Sequence, residues 1–189
     1  MIRCFLSKLS RFYRYLRSFG QKTKQKEPTY PVKLFPNEKF LPIFLAQMAE
    51  EGATGTIIAR GYSMMPFIEH NRDRLVFVQT DRVRVGDVVL AEISKGVFVC
   101  HRVERIDGDR LTLRGDGNVR GTEQCMLQHV RARLVTVIRK GKPYHLDTST
   151  AWKIYSCIWP RLLPLRRYLL ALYRLLWQHK LPRRFTRIF

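Results

Sequence analysis

Between residues 54 and 139 the chain keeps changing its mind every ten residues or so. Short runs rich in Val, Ile, Leu, Phe and Thr alternate with glycine-marked turns. The runs lie at 54–60, 74–79, 87–93, 96–103, 110–114 and 132–139, with glycines at 86, 96, 108, 115, 117 and 141 between and beside them. Segments this short cannot form packed helices, and β-branched residues suit a pleated, half-buried surface. Lys95-Gly96 and Asp107-Gly108 read as hairpin turns. The pattern predicts a mainly β domain, a curled sheet or barrel. No internal repeat, glycine-rich phosphate loop or HExxH motif is present.

Helical periodicity appears only outside these runs. Ile2, Phe5, Leu6, Leu9, Phe12, Tyr13 and Leu16 share one helix face, with Arg3, Arg14 and Arg17 opposite, and Gly20 is a plausible stop. Pro28 to Pro36 reads as an extended linker. Asn37 is a good N-cap for a helix that carries Phe40, Ile43, Phe44, Leu45 and Met48 and ends near Gly52. Leu, Tyr and Trp return after residue 150. There Pro160 and Pro164 are expected to break any continuous helix, and Leu165 to Trp177 reads as an interfacial helix whose arginines reach out to phosphates. The expected divisions are a basic arm and linker over 1–35, a β domain over 36–145 and a basic helical arm over 146–189.

Charge follows nearly the same divisions. The 189 residues hold 35 Lys and Arg against 15 Asp and Glu, a net +20. Residues 1–35 carry nine cations and Glu27, and residues 151–189 carry nine cations and no acid. The middle, 36–150, has seventeen cations against fourteen acids, so it is nearly neutral. Arms of this kind suit an anionic membrane surface. No run of apolar residues is long enough for an ordinary transmembrane helix, and cations interrupt the apolar start in a way a secretory leader does not allow. Nucleic acid is not an expected partner, because no helix-turn-helix or RNP-like motif accompanies the charge. Cys4, Cys100, Cys125 and Cys157 show no CxxC, and the histidines show no ligand spacing, so neither a disulfide scaffold, a metal nor another cofactor is expected. Cys4 beside a basic amphipathic start is at most a weak acylation site.

One serine stands where chemistry is possible. Ser63, in Gly61-Tyr62-Ser63-Met64-Met65-Pro66, follows a strand and precedes a proline-bounded turn. Backbone N–H groups at such a corner can face a developing oxyanion, but a serine needs a base. His101, inside a strand, can supply it. Asp116, in the loop after the next strand, can orient the imidazole. Taken alone, a turn serine, a strand histidine and a turn aspartate are common in proteins of this size.

Five blocks in order sharpen the reading: GYSMMP (61–66), Arg72-Asp73-Arg74-Leu75-Val76, Val85-Gly86-Asp87-Val88-Val89-Leu90, His101-Arg102-Val103 and RGDGN (114–118). Together they resemble the type I signal peptidase superfamily, which also includes the repressor-type autoproteases. The resemblance covers roughly residues 54–140. It implies a mostly β, barrel-like fold with Ser63 as nucleophile. Position 101 is lysine in the common bacterial enzymes and histidine in the endoplasmic-reticulum-type branch, so the chain is similar to the histidine branch. Asp116 matches that branch's Gly-Asp-Asn-like box. Gly61 and Pro66 fall in the oxyanion and groove region, with Met64 lining the groove. Asp73, Gly86, Asp87 and Arg102 match positions read as structural.

Two departures matter. Gly61 stands where relatives often have a hydroxyl. The acids expected just past RGDGN are replaced by Val119-Arg120-Gly121-Thr122, which leaves Asp107 and Asp109 as other possible orienters of His101. The expected activity is that of a serine endopeptidase cutting a leader or signal segment at a membrane surface. The alternative is a non-catalytic leader-binding or membrane-surface module that keeps the fold.

Overall fold

The computed structural model describes Phe44, residues 54–80 and residues 82–177. The amphipathic helix expected near the N-terminus, the expected linker, the helix expected from Asn37 to near Gly52 (Phe44 apart) and residues 178–189 lie outside the described residues.

Eight strands form one antiparallel sheet: β1 (Thr54–Ile58), β2 (Asp73–Val78), β3 (Val88–Ser94), β4 (Val97–Asp107), β5 (Arg110–Arg114), β6 (Glu123–Met126), β7 (Val130–Arg139) and β8 (Lys142–His145). Their order is β1-β2-β7-β3-β4-β5-β6, with β8 paired to β7. β7 organises the whole. Its first half pairs with β3, its second half with β8, and β2 runs along its opposite edge. β1 and β6 end the path and do not pair with each other, so the sheet is curled rather than closed. Six strands follow the expected runs to within a few residues. β6 and β8 are additional.

Two helices follow. α1 (Thr150–Arg161) starts at Ser149, whose side chain accepts the Trp152 N–H. α2 spans Leu163–Trp177. The break falls at Leu162, and Pro160 sits inside α1 instead of ending it. Pro160 removes one helical donor, but the Leu162 N–H still reaches the carbonyls of Ile158 and Trp159. Pro164 has no N–H to offer the Pro160 carbonyl, and it stands in the first turn of α2, where none is required.

The pleat sorts apolar residues onto two faces. On one, Leu75, Phe77, Val88, Leu90, Leu134 and Val137 pack with Phe44, Met64, Phe67 and Ile68 under Trp152, Tyr155, Trp159 and Leu170. The C-terminal segment therefore belongs to the core as far as Leu170. On the other, Val89, Ala91, Val103, Leu111, Leu113 and Cys125 form a smaller cluster within the curl of β3 to β6.

Candidate active site

The loop carrying Ser63 leaves β1 and returns through β2, and it is held at both ends. At its far end the Asp73 carboxylate, fully buried, accepts Arg72 Nε at 2.9 Å and Arg139 Nε at 2.8 Å, together with the Glu69 N–H at 3.0 Å. Both arginines also donate to the Phe67 carbonyl. Burial alone would raise the Asp73 pKa, but the hydrogen bonds and charges of Arg72 and Arg139 outweigh it and hold the carboxyl below its ordinary value. At its near end the Gly117 N–H donates to the Ser63 carbonyl at 2.7 Å. A Cβ at Gly115 would come within 2.5 Å of the Ser63 carbonyl oxygen, and one at Gly117 within 2.7 Å of that of Tyr62. The glycines of RGDGN are thus required by close approach of two backbones.

Gly61 is exposed, and its N–H donates to His70 Nδ1 at 3.0 Å. Ser63 is half-buried. Met64 and Pro66 are buried, Met64 within the larger apolar cluster. Met64 packs into the core beneath the loop. The bond between Met65 and Pro66 is cis.

His101 and Arg102 are neighbours on β4 and point to opposite faces. Arg102 faces the larger core. Its Nε and Nη2 grip the two Asp116 oxygens at 2.8 and 2.7 Å, and its Nη1 donates to the Gly86 carbonyl and to Ser156 Oγ. Tyr155 Oη donates to Asp116 Oδ2 at 2.9 Å, and Trp159 Nε1 to the Asp116 carbonyl at 2.9 Å. Burial, then the Asp116 charge, pushes the Tyr155 phenol well above its ordinary pKa, so it stays a donor. Arg166, from α2, donates to the Asn118 carbonyl at 3.0 Å. Gly86 and Asp87 shape the turn before β3: the Gly86 N–H donates to the Val103 carbonyl, and Asp87 Oδ2 accepts the Arg84 N–H.

Asp116 therefore does not orient His101. Its carboxylate lies on the Arg102 side of the sheet and is occupied by Arg102 and Tyr155. The acid at the imidazole is Glu123: His101 Nδ1 lies 2.9 Å from Glu123 Oε2. Register explains the pairing. Glu123 pairs with Leu113 and Leu113 with Val103, which shares a face with His101 two residues earlier. Asp107 and Asp109, the other acids considered, lie at the distal β4–β5 turn. Nothing in the spacing of residues 114–123 marked Glu123, although it is the first acid after Asp116.

The imidazole is buried, while its carboxylate partner is 28% exposed. In the tautomer that donates Nδ1–H to Glu123, Nε2 carries the lone pair a general base needs. The antiparallel register that pairs Arg102 with Arg114 carries His101 towards Gly115, against which the Ser63 backbone rests. Among the described residues, no hydrogen bond joins the Ser63 hydroxyl to His101. Nor do three His, Cys, Asp or Glu side chains gather there as a metal site.

A family model described as Peptidase S24-like matches residues 21–130. The chain belongs to that family. The match spans the loop of Ser63, the His101 strand and Glu123, and it stops at the start of β7. The resemblance to the superfamily of signal peptidases and repressor-type autoproteases is thereby established at the level of the family, and the chain carries a serine-peptidase or autoprotease-like fold. Comparisons with curated proteins and with solved structures return no match.

Proposed function

We propose that the protein is a serine endopeptidase in which Ser63 attacks the scissile carbonyl, His101 Nε2 takes and returns the proton, and Glu123 orients the imidazole. The observation that carries this reading is the 2.9 Å contact between the buried His101 Nδ1 and Glu123. A buried histidine with one nitrogen committed to a carboxylate is a directed base. Substrate is a leader or signal segment presented at a membrane surface, bound in extended form. Two strands at the ends of the sheet path, with no further strand beside them among the described residues, support that mode: β1 runs directly into the Ser63 loop, and β6 begins with Glu123. An extended peptide gains main-chain hydrogen bonds by adding to such an edge. Ser63→Ala and His101→Ala should each abolish cleavage of a leader peptide while keeping the wild-type circular dichroism spectrum. Cleavage at the wild-type rate by either variant overturns the proposal.

A second reading, a leader-binding module that does not cleave, is favoured by the open Ser63–His101 pair. Leader peptide held without turnover by the wild-type chain would decide for it, and product formation would decide against it.

A further inference from the structure

We propose that the outer face of α2 is the surface by which this protein docks on an anionic membrane. The proposal rests on the membrane-surface part of the reading above and on none of its chemistry.

The observation is an apolar stripe with nothing over it among the described residues. Leu165, Tyr168, Leu172 and Leu175 are 53%, 68%, 53% and 65% exposed. Their spacings of three, four and three residues place them on one side of the helix. The opposite side is already used: Arg166 and Leu170 are buried against the core, and Tyr173 donates to the Glu69 carboxylate in the nucleophile loop. Packing therefore accounts for one face of α2 and leaves the other unexplained. Scattered exposed apolar side chains are ordinary, but three leucines and a tyrosine in register on one helix mark a contact surface. Ile154 and Ile158 add two more exposed apolar side chains on α1.

Charge selects the occupant. Residues 151–189 hold nine Lys and Arg and no acid, and Arg161 and Arg167 are exposed. A second copy would bring the same +9 against this face, and the chain's own first 35 residues would bring +8. Both meet like-charge repulsion. A surface of lipid phosphates over hydrocarbon complements both features: the leucines enter the boundary, the arginine stems lie along it, and Tyr168 sits at headgroup depth. No described helix is long and apolar enough to cross a bilayer, so the helix lies in the plane of the surface.

The test uses the full-length Ser63→Ala chain, so that lipid binding is read apart from proteolysis. Leu172→Cys is made in a Cys4→Ser/Cys157→Ser background and labelled with an environment-sensitive fluorophore. Phosphatidylcholine vesicles containing phosphatidylglycerol should shift its emission to the blue, and phosphatidylcholine alone should not. Changing Leu165, Tyr168, Leu172 and Leu175 together to Ser should lower vesicle partitioning roughly tenfold or more. An unshifted label on a chain that floats with the vesicles overturns the proposal. So does wild-type partitioning by the four-serine variant, an equal shift on neutral vesicles, or a shift that follows protein concentration without lipid. If the four-serine variant does not fold, the label at position 172 decides alone.

Discussion

His101 and Arg102 are adjacent in the chain, and the pleat gives them opposite lives. Arg102 and Asp116 are both about 3% exposed and close on each other in two parallel hydrogen bonds, under the rings of Trp152 and Tyr155. His101 and Glu123 make one contact, at the edge of the smaller core, with the carboxylate open to water. The first arrangement uses every available partner and leaves nothing free for chemistry. The second leaves one imidazole nitrogen uncommitted. The comparison teaches that a motif read as a single catalytic unit, His-Arg-Val followed by Gly-Asp-Gly-Asn, divides across the sheet into a fastening half and a half that carries the proposed base.

Breaking the fastening half should cost the most stability. Asp116→Asn leaves a buried guanidinium without its carboxylate, and removing one partner of a buried pair typically costs about 3–5 kcal/mol. The melting temperature by circular dichroism should fall accordingly. A variant that melts like the wild type would show that Asp116 is free for another role. Glu123→Gln should do the opposite. It should keep the fold and slow peptide cleavage by something on the order of 10²- to 10⁴-fold, through loss of the oriented tautomer. If its activity is retained, the assignment of Glu123 is wrong.

Between these extremes lies Gly115→Ala. Its Cβ meets the Ser63 carbonyl oxygen at 2.5 Å, and that oxygen belongs to backbone that must move. The expected result is a loss of kcat much larger than the loss of stability, measured as kcat and melting temperature on the same preparation. Tyr155→Phe removes one hydrogen bond to Asp116 and should cost about 1–3 kcal/mol, with no direct effect on cleavage.

Acid tests the second fastening point. The folded-state pKa of Asp73 is depressed, so its stabilising contribution is present above the unfolded carboxylate value, about 3.9. That contribution fades as pH falls through the lower folded value. Asp73→Asn should therefore flatten the dependence of stability on pH between that folded value and about 3.9, as followed by urea melts. The smallest effect is chemical. Cys157 is exposed, whereas burial pushes the Cys100 thiol up to about 12, so iodoacetamide near neutral pH should alkylate Cys157 well before Cys100.

Sequence and structure agree where side-chain chemistry is local. The β-branched runs announced six strands because a pleated, half-buried surface selects those residues. β6, Glu123-Gln124-Cys125-Met126, has four residues and no β-branched one. β8 carries Pro143 on a sheet edge. Both form because a neighbouring strand offers them hydrogen bonds, which is information from tertiary structure. The Ser63 and His101 blocks were legible through family resemblance. The partner of His101 was not, because which side of the sheet a loop acid reaches depends on strand register and on the bulge between Val103 and Arg105. The C-terminal segment was read as a peripheral arm from its cations. Its inner face instead supplies Tyr155, Trp159 and Arg166 to the loop beside Ser63, a use of aromatic and basic residues that composition does not distinguish from lipid contact.

The most direct test of the central claim is the rate at which a fluorophosphonate acylates Ser63, read by intact mass in the wild-type, Ser63→Ala and Glu123→Gln chains. The account predicts one adduct on the wild type, none on Ser63→Ala and labelling slowed by about two orders of magnitude or more in a fully folded Glu123→Gln. A wild-type chain that takes no label, or a Glu123→Gln chain that labels at the wild-type rate, would contradict it.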